Sequence, residues 1–348
     1  MSDYRKTKLY DSHQSLKAKL VPFSGFWMPL QYSSIIKEHH HVRSKCGLFD
    51  VSHMGEFIVS GNNAKTFLQN VTTNDIGNLE VGKVQYSAFC NDSGGVIDDL
   101  LVYHLGDYYM LVVNASNIEK NFEWLSSKLI DDVSLEDKSD SMSLLALQGP
   151  MSRTHLKKLY PQIEKLKYYE TLLPDSEEII IARTGYSGEL GFEIYAPNSI
   201  ILKLWNEILS LSDDILPVGL GCRDSLRLEM GYCLYGNELN EQTTTIEAGL
   251  SWITKHETSF IGSKSMQDNS PSKKLIALIS EERAIPRSGY KIFSKEKKEV
   301  GVVTSGGMSP CLKKGIALAY VDYEMRLEKE FLIGIRDNFF IFKKTKLP

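Results

Sequence analysis

The chain has 348 residues, 42% of them hydrophobic and 24% charged, with 40 Lys and Arg against 44 Asp and Glu for a net charge of −4. That length points to more than one domain, and that balance excludes disorder throughout the chain. It also excludes binding to duplex nucleic acid or to an anionic membrane through bulk positive charge. No apolar run reaches the roughly 18–20 residues of a membrane span. The opening stretch MSDYRKTKLYDSHQ lacks the apolar core of a secretory signal. The cysteines (Cys46, Cys90, Cys222, Cys233, Cys311) are scattered and never spaced as CxxC, which argues against a disulfide framework or a zinc ribbon. The expectation is a cytoplasmic protein with reduced thiols and neither nucleic-acid nor membrane partners.

In chain order, residues 33–46 read as a helix capped by Ser33 or Ser34, with Ile36, His39 and Val42 at helical spacing. The strand-like stretches LFDV and GEFIVSG follow, then a short helix with Ala64, Phe67, Leu68 and Val71 on one face. A β meander comes next, over 83–90, 96–104 and 108–113, its first turn made by Asn91-Asp92-Ser93-Gly94-Gly95. Residues 117–129 have helical period. Strands and helices alternate from 141 to 210, with an amphipathic helix over 198–209. Gly219-Leu220-Gly221 precedes a helix expected over 223–232. Beyond a linker at 267–274 the texture becomes all-β: 274–280, 290–293, 300–304, 316–321, 331–335 and 339–342 look like strands of a small barrel.

Several constellations are candidates for chemistry. Asp98 and Asp99 lie in an apolar strand and must point to opposite faces, so they cannot act together on one atom. At least one is expected to be buried, either as a functional carboxylate or as an acceptor for N–H groups of the glycine turn. In Arg183-Thr184-Gly185-Tyr186-Ser187-Gly188-Glu189-Leu190-Gly191-Phe192-Glu193-Ile194 the glycines permit close backbone approach to a ligand. Glu193 falls on the face opposite Phe192 and Ile194. There it is either a grip for a heterocyclic donor edge or a solvent-facing strand residue. Neither a dinucleotide fingerprint nor a P-loop is present. Gly219 and Gly221 ahead of a helix suit an anion or carbonyl at its N-terminus, with Arg223 as a forked donor; an ordinary capped helix is the alternative. His39, His40 and His41 point about 100° apart on a helix, so with His53 and Cys46 they make a poor metal site. Neither Cys46 nor Cys90 has an evident base partner, and no GxSxG motif occurs.

Read together, these stretches resemble the T-proteins of the glycine cleavage system, a family of tetrahydrofolate-dependent aminomethyltransferases. The similarity runs through TKLYDSHQSLKAKLVPFSGFWMPLQY, EHHHVRSKCGLFDVSHMGEF, NDSGGVIDDLLVY, VVNASNIEKNF, LLALQGP, RTGYSGELGFEI, GLGCRDSLRLEMGYCLYGNEL and VTSGGMSPCLKKGIALAYV, in that order. It implies an α+β fold: a three-domain cloverleaf around a central folate cavity. The first α+β domain would take residues 1–52 and 140–250 and the second 53–139. Residues 251–272 would connect to a C-terminal all-β barrel over 273–348.

It also implies roles for particular residues. Asp99 would be the essential aspartate near the folate N5 and N10, and Asp98 a structural one. Glu193 would grip the pterin and Arg223 would serve the folate site. Met54, Tyr86, Val112 and Asn114 would line the pocket, which is apolar and aromatic enough for a flat pterin and an aminobenzoyl ring. Tetrahydrofolate would be co-substrate and lipoylated H-protein the partner, with no metal and no covalent enzyme intermediate. The activity implied is transfer of the lipoyl-bound aminomethyl carbon to tetrahydrofolate with release of ammonia. Rival readings are a folate-dependent demethylase of the same superfamily or a non-catalytic folate binder. The latter group carries a KGCYxGQE-like motif where this chain reads GCRDSLRLEMG. One departure is the end, Thr345-Lys346-Leu347-Pro348, where relatives commonly continue into an aromatic segment with a folate-contacting tyrosine.

Overall fold

The computed structural model describes residues 4–174 and 178–346; Leu347 and Pro348, the last of the chain end noted above, lie outside them. The chain divides into two compact units. The first comprises Met1–Leu68, Ile76–Tyr86 and Leu100–Asp224, the second Gln69–Asp75, Ser87–Asp99 and Ser225–Pro348.

The first unit is built on a six-stranded sheet in the order Thr171–Leu172, Ile180–Ala182, Gly191–Pro197, Met142–Gln148, Cys46–Asp50 and Ile215–Pro217. Alternation along its central strands sends Leu145, Leu147, Phe192 and Ile194 into one apolar core with Ile201, Leu204, Trp205 and Ile208 of the helix Ile201–Ser210. The expected amphipathic helix is therefore real, and its apolar stripe is what covers this sheet. The helix Ile35–Ser44 is capped by Ser34, whose hydroxyl accepts from the Lys37 N–H at 3.3 Å.

A five-stranded sheet has the order Val84–Cys90, Val96–His104, Tyr108–Val113, Gly55–Ser60 and Ser134–Asp137. The predicted meander supplies three of these strands. A small sheet of Arg5–Lys6, Phe26–Gln31 and Lys19–Phe23, which no sequence pattern announced, also belongs to the first unit.

In the second unit, the strands Lys273–Ser280, Gly315–Asp322, Glu299–Met308, Lys291–Phe293, Glu330–Ile335 and Asn338–Thr345 close into a barrel. Its inward alternation gathers Ile276, Leu278, Ile292, Val303, Ala319, Phe331, Ile333 and Phe342. The all-β tail is thus a barrel with its own core. A bulge between Val303 and Ser305 lets the strand Glu299–Met308 run on past the predicted 304. The linker is shorter than expected. The helix Ser263–Asp268 buries Met266, and the first barrel strand begins at Lys273. Ser272 is pinned by Glu247 Oε1, which accepts from its N–H at 3.0 Å and its hydroxyl at 2.9 Å. Among the described residues, no helix is long and apolar enough to cross a membrane.

Candidate functional site

Glu193 sits in the middle of a buried strand, on the face opposite Phe192 and Ile194, and is only 5% exposed. A solvent-facing role is thereby excluded. Its cross-strand neighbours are Ala146 and Ala182, so the carboxyl shares its sheet face with two methyl groups. The Thr184 hydroxyl donates to Oε2 at 2.5 Å, while Oε1 has no hydrogen-bond partner among the described residues. Burial pushes this carboxyl up, and the nearby Arg223 guanidinium and the Thr184 hydrogen bond pull it back. Two residues on, the Tyr195 hydroxyl meets that of Tyr103 at 2.7 Å.

The glycines of the same motif serve the chain itself. A Cβ on Gly185 would lie 2.0 Å from Gln148 Oε1, and one on Gly191 2.3 Å from Gln148 Nε2. The Gln148 carboxamide fills that space, accepting from Ser187 Oγ at 2.7 Å and donating to the Thr184 carbonyl at 3.2 Å. This buried amide holds the backbone that presents Thr184 to Glu193.

Arg223 lies on the helix Leu220–Glu229, which starts three residues earlier than expected because Gly221 is part of it. The anion anticipated at this glycine-led turn is internal. Glu38, 3% exposed, accepts from the Gly219 N–H at 2.9 Å through one oxygen. Its other oxygen accepts from the N–H groups of Tyr32 and Ser33 at 2.7 and 2.8 Å. Gly219 is required for close approach, since its Cβ would fall 2.3 Å from the Leu30 carbonyl. Arg223 itself stays partly exposed, with its guanidinium 4.8 Å from the centre of the Tyr186 ring. Sequence reasoning missed Tyr186 and Thr184. The signal was an aromatic and a hydroxyl inside a glycine-rich stretch, but nothing local ties them to position 223.

Val112 is 4% exposed and pairs with Leu101 on one side and Glu56 on the other, so the three share a sheet face. Glu56 is 1% exposed, and neither carboxyl oxygen has a hydrogen-bond partner among the described residues. Burial, with Asp137 adding to it, drives this carboxyl well above its ordinary range. Its charge would reach Tyr195. Met54 ends the turn after the strand Cys46–Asp50, its N–H bonded to the Val51 carbonyl at 3.1 Å. Beside it His53 is 4% exposed. Burial pushes its imidazole down to about 4, Arg223 adding to the effect and Asp50 opposing it. Asp50 is a buried hub: Oδ2 pairs with His13 Nε2 at 2.8 Å and Thr7 Oγ1 at 2.7 Å, and Oδ1 accepts from the Ser52 N–H at 3.0 Å. In the first unit the Arg223 charge is felt by both Glu193 and His53, the neighbour of Met54 in sequence, and Val112 shares a sheet face with Glu56, whose charge would reach Tyr195. Tyr86 and Asn114 are both partly exposed, one on the strand Val84–Cys90 and the other just past Tyr108–Val113.

In the second unit, alternation leaves Asp98 buried and Asp99 partly exposed. The glycine turn before them is satisfied by Asn91, not by an aspartate. Its carbonyl accepts from the Gly94 N–H at 2.8 Å and its Oδ1 from the Gly95 N–H at 2.9 Å. Gly95 is there for contact with the 240–244 segment, since a Cβ would lie 1.8 Å from the Glu241 carbonyl oxygen. Asp99 is near enough to the buried Cys233 thiol to help push it up. Burial likewise raises Cys46, to about 12, and Cys90, which keeps these thiols protonated. Of the three consecutive histidines His39 is buried, His41 is partly exposed and bonded to the Asp214 carbonyl, and His40 is exposed.

Residues 9–258 match the family model described as the GCVT N-terminal domain, and residues 273–348 the glycine cleavage T-protein C-terminal barrel domain. This pairing defines the class of protein. An aminomethyltransferase of Chloroherpeton thalassium is 46% identical over 98% of both chains, and one of Halothermothrix orenii is 44% identical over 99% of both. The crystal structure of glycine cleavage system aminomethyltransferase T from Bartonella henselae superposes with a TM-score of 0.94 at 34% identity, covering 99% of this chain and 98% of that one. The chain belongs to the glycine cleavage T-protein family, with its α+β fold and C-terminal barrel.

Proposed function

We propose that this chain transfers the one-carbon unit of an aminomethyl group, carried on the lipoyl arm of H-protein, to tetrahydrofolate. Ammonia leaves, the carbon becomes the methylene of 5,10-methylenetetrahydrofolate, and the lipoyl sulfur is returned as a thiol. The chain is an enzyme of the aminomethyltransferase class. The observation that carries the folate reading is Glu193. It is buried between two alanines, with one oxygen fixed by Thr184, the other without a protein partner, and Arg223 close by. A carboxyl so placed can accept from the donor edge of a pterin. Met54, Tyr86, Val112 and Asn114 supply the pocket walls, and Arg223 pairs with an acceptor on the folate.

Asp99 is the catalytic carboxylate in this reading. Expelling ammonia leaves a cationic carbon, which a carboxylate stabilises while taking the proton released as the folate nitrogen attacks. Holding the two reactants together contributes much of the rest. The three-domain division, with residues 1–52 and 140–250, 53–139, and 273–348 as the domains, belongs to the same proposal. The test is formation of methylenetetrahydrofolate and ammonia from aminomethyl-loaded H-protein, run beside Asp99→Asn. Turnover should require folate and fall by at least about tenfold in the variant, with folate binding kept. Full turnover in the variant would remove Asp99 from its role. Absence of turnover in the wild type, with folate bound, would overturn the transferase reading.

A further inference from the structure

We infer that Arg153 and Arg183 form a binding site for a phosphoryl oxyanion, on the face of the six-stranded sheet opposite Glu193. Ala182 and Thr184 share the face of Glu193, so Arg183 between them turns to the face of Phe192. The Arg153 guanidinium lies 5.9 Å from the centre of the Phe192 ring. The two side chains converge on one acceptor. The Leu166 carbonyl accepts from Arg153 Nη2 at 2.7 Å and from Arg183 Nη1 at 3.3 Å, so these nitrogens are at most 6.0 Å apart. Arg153 Nη1 donates to the Glu164 carbonyl at 2.9 Å. Neither guanidinium bonds to a carboxylate among the described residues. The acids of the same segment are engaged elsewhere. Glu170 accepts from Lys83 Nζ and from the Lys167 N–H, both at 2.7 Å, and Glu164 pairs with Lys157 at 3.0 Å.

Capping a loop explains one arginine, not two. Arg153 alone reaches both the Glu164 and the Leu166 carbonyls. Arg183 adds a second positive charge at an oxygen already bonded, and like charges so close oppose each other. Burial and the Arg153 charge push the Arg183 guanidinium down, with Glu170 and Tyr168 opposing them. Two guanidiniums carry ten N–H donors, and this pair gives three hydrogen bonds to the protein. Both Nε atoms are sealed, so the donors left for a ligand are those of the Nη atoms; Arg183 Nη2 is neither sealed nor bonded to a described residue. Residues 153–167 add Lys157, Lys158, Lys165 and Lys167 against the single acid Glu164, in a chain of net charge −4. The Tyr168 ring beside them is 60% exposed. A phosphoryl group brings up to two negative charges to two positive ones, where a carboxylate brings one, and its oxygens match the guanidinium fork.

Calorimetric titration of inorganic phosphate, and separately of phenyl phosphate, onto the full chain in chloride buffer of fixed ionic strength tests this. Arg183→Gln, Arg183→Lys and Arg223→Gln are run beside wild type, with melting temperatures recorded for all. We expect saturable phosphate binding that weakens about 10- to 100-fold in Arg183→Gln. The loss should be smaller in Arg183→Lys, which keeps the charge without the fork, and absent in Arg223→Gln. Tighter binding of phenyl phosphate would identify a phosphoester whose ring reaches Tyr168; equal binding would identify the free ion. No saturable binding in wild type would overturn the inference, as would full affinity in either Arg183 variant that stays folded. A loss confined to Arg223→Gln would place the anion in the proposed folate site and overturn it equally.

Discussion

Two arginines four residues apart meet buried glutamates in opposite ways. In the second unit Arg227, 2% exposed, lies 3.1 Å from Glu238, which is fully buried. Every arm of that pair is filled. Arg227 also donates to the Tyr232 carbonyl and to Ser305 Oγ, and Glu238 accepts from Thr304 Oγ1 and the Leu234 N–H. In the first unit Arg223 stacks on Tyr186 and only senses Glu193 electrostatically, and Glu193 keeps an oxygen without a partner. Saturation marks the first as a fastening between residues 227–238 and the barrel strand Glu299–Met308. The open valence of Glu193 is what the proposed folate site rests on, and the first unit also leaves His53 Nδ1 and both Glu56 oxygens without hydrogen-bond partners among the described residues. Burial alone does not separate structural from functional charges; what separates them is whether the protein completes their hydrogen bonds.

The largest effect expected from breaking this contrast is on the fastening. Arg227→Ala strands a buried carboxylate, which costs about 3–5 kcal/mol, and calorimetry should show a melting temperature lower by roughly 10 °C. A variant as stable as wild type would mean the pair holds nothing. A smaller effect is expected at Glu56. Its folded carboxyl is raised, so the stability it lends is complete below the ordinary carboxylate value and is lost as pH climbs toward the folded one. Glu56→Gln should therefore melt close to wild type near pH 5 and a few degrees higher by about pH 8, the gap widening by up to about 1.4 kcal/mol per pH unit. A gap that does not change with pH would show that the carboxyl is not titrating as a buried acid. The smallest effect concerns the thiols. Alkylation of the native protein should label the exposed Cys311, spare the buried Cys46, Cys90, Cys222 and Cys233, and leave turnover intact. Loss of activity in step with Cys311 labelling would bring a thiol into the account.

Much of the fold was legible where patterns are local. Alternation along 96–104 and 108–113 marks those strands, and alternation around 192–194 sets Glu193 opposite Phe192 and Ile194. The barrel was readable from short strands spaced by turns. Less visible was anything that depends on distant partners. The strand Arg5–Lys6 exists because Phe26–Gln31 pairs with it in parallel, and neither carries a period. The glycines near 185–191 and 219–221 looked like ligand cradles. They accommodate Gln148, the Leu30 carbonyl and Ile35 instead, and no spacing rule could say so. In the sequence His53 figures only beside the other histidines as a metal ligand, since nothing local ties it to Arg223, whose charge reaches it.

The account stands most directly on Glu193, and titrating tetrahydrofolate onto wild type and Glu193→Ala tests it. The dissociation constant should rise by about 10- to 100-fold, the value of a hydrogen bond to a charged or buried carboxyl. The melting temperature should hold or rise, because the group removed is buried against its own burial cost. Unchanged affinity in a folded variant would contradict the account and leave the open valence of Glu193 without a ligand.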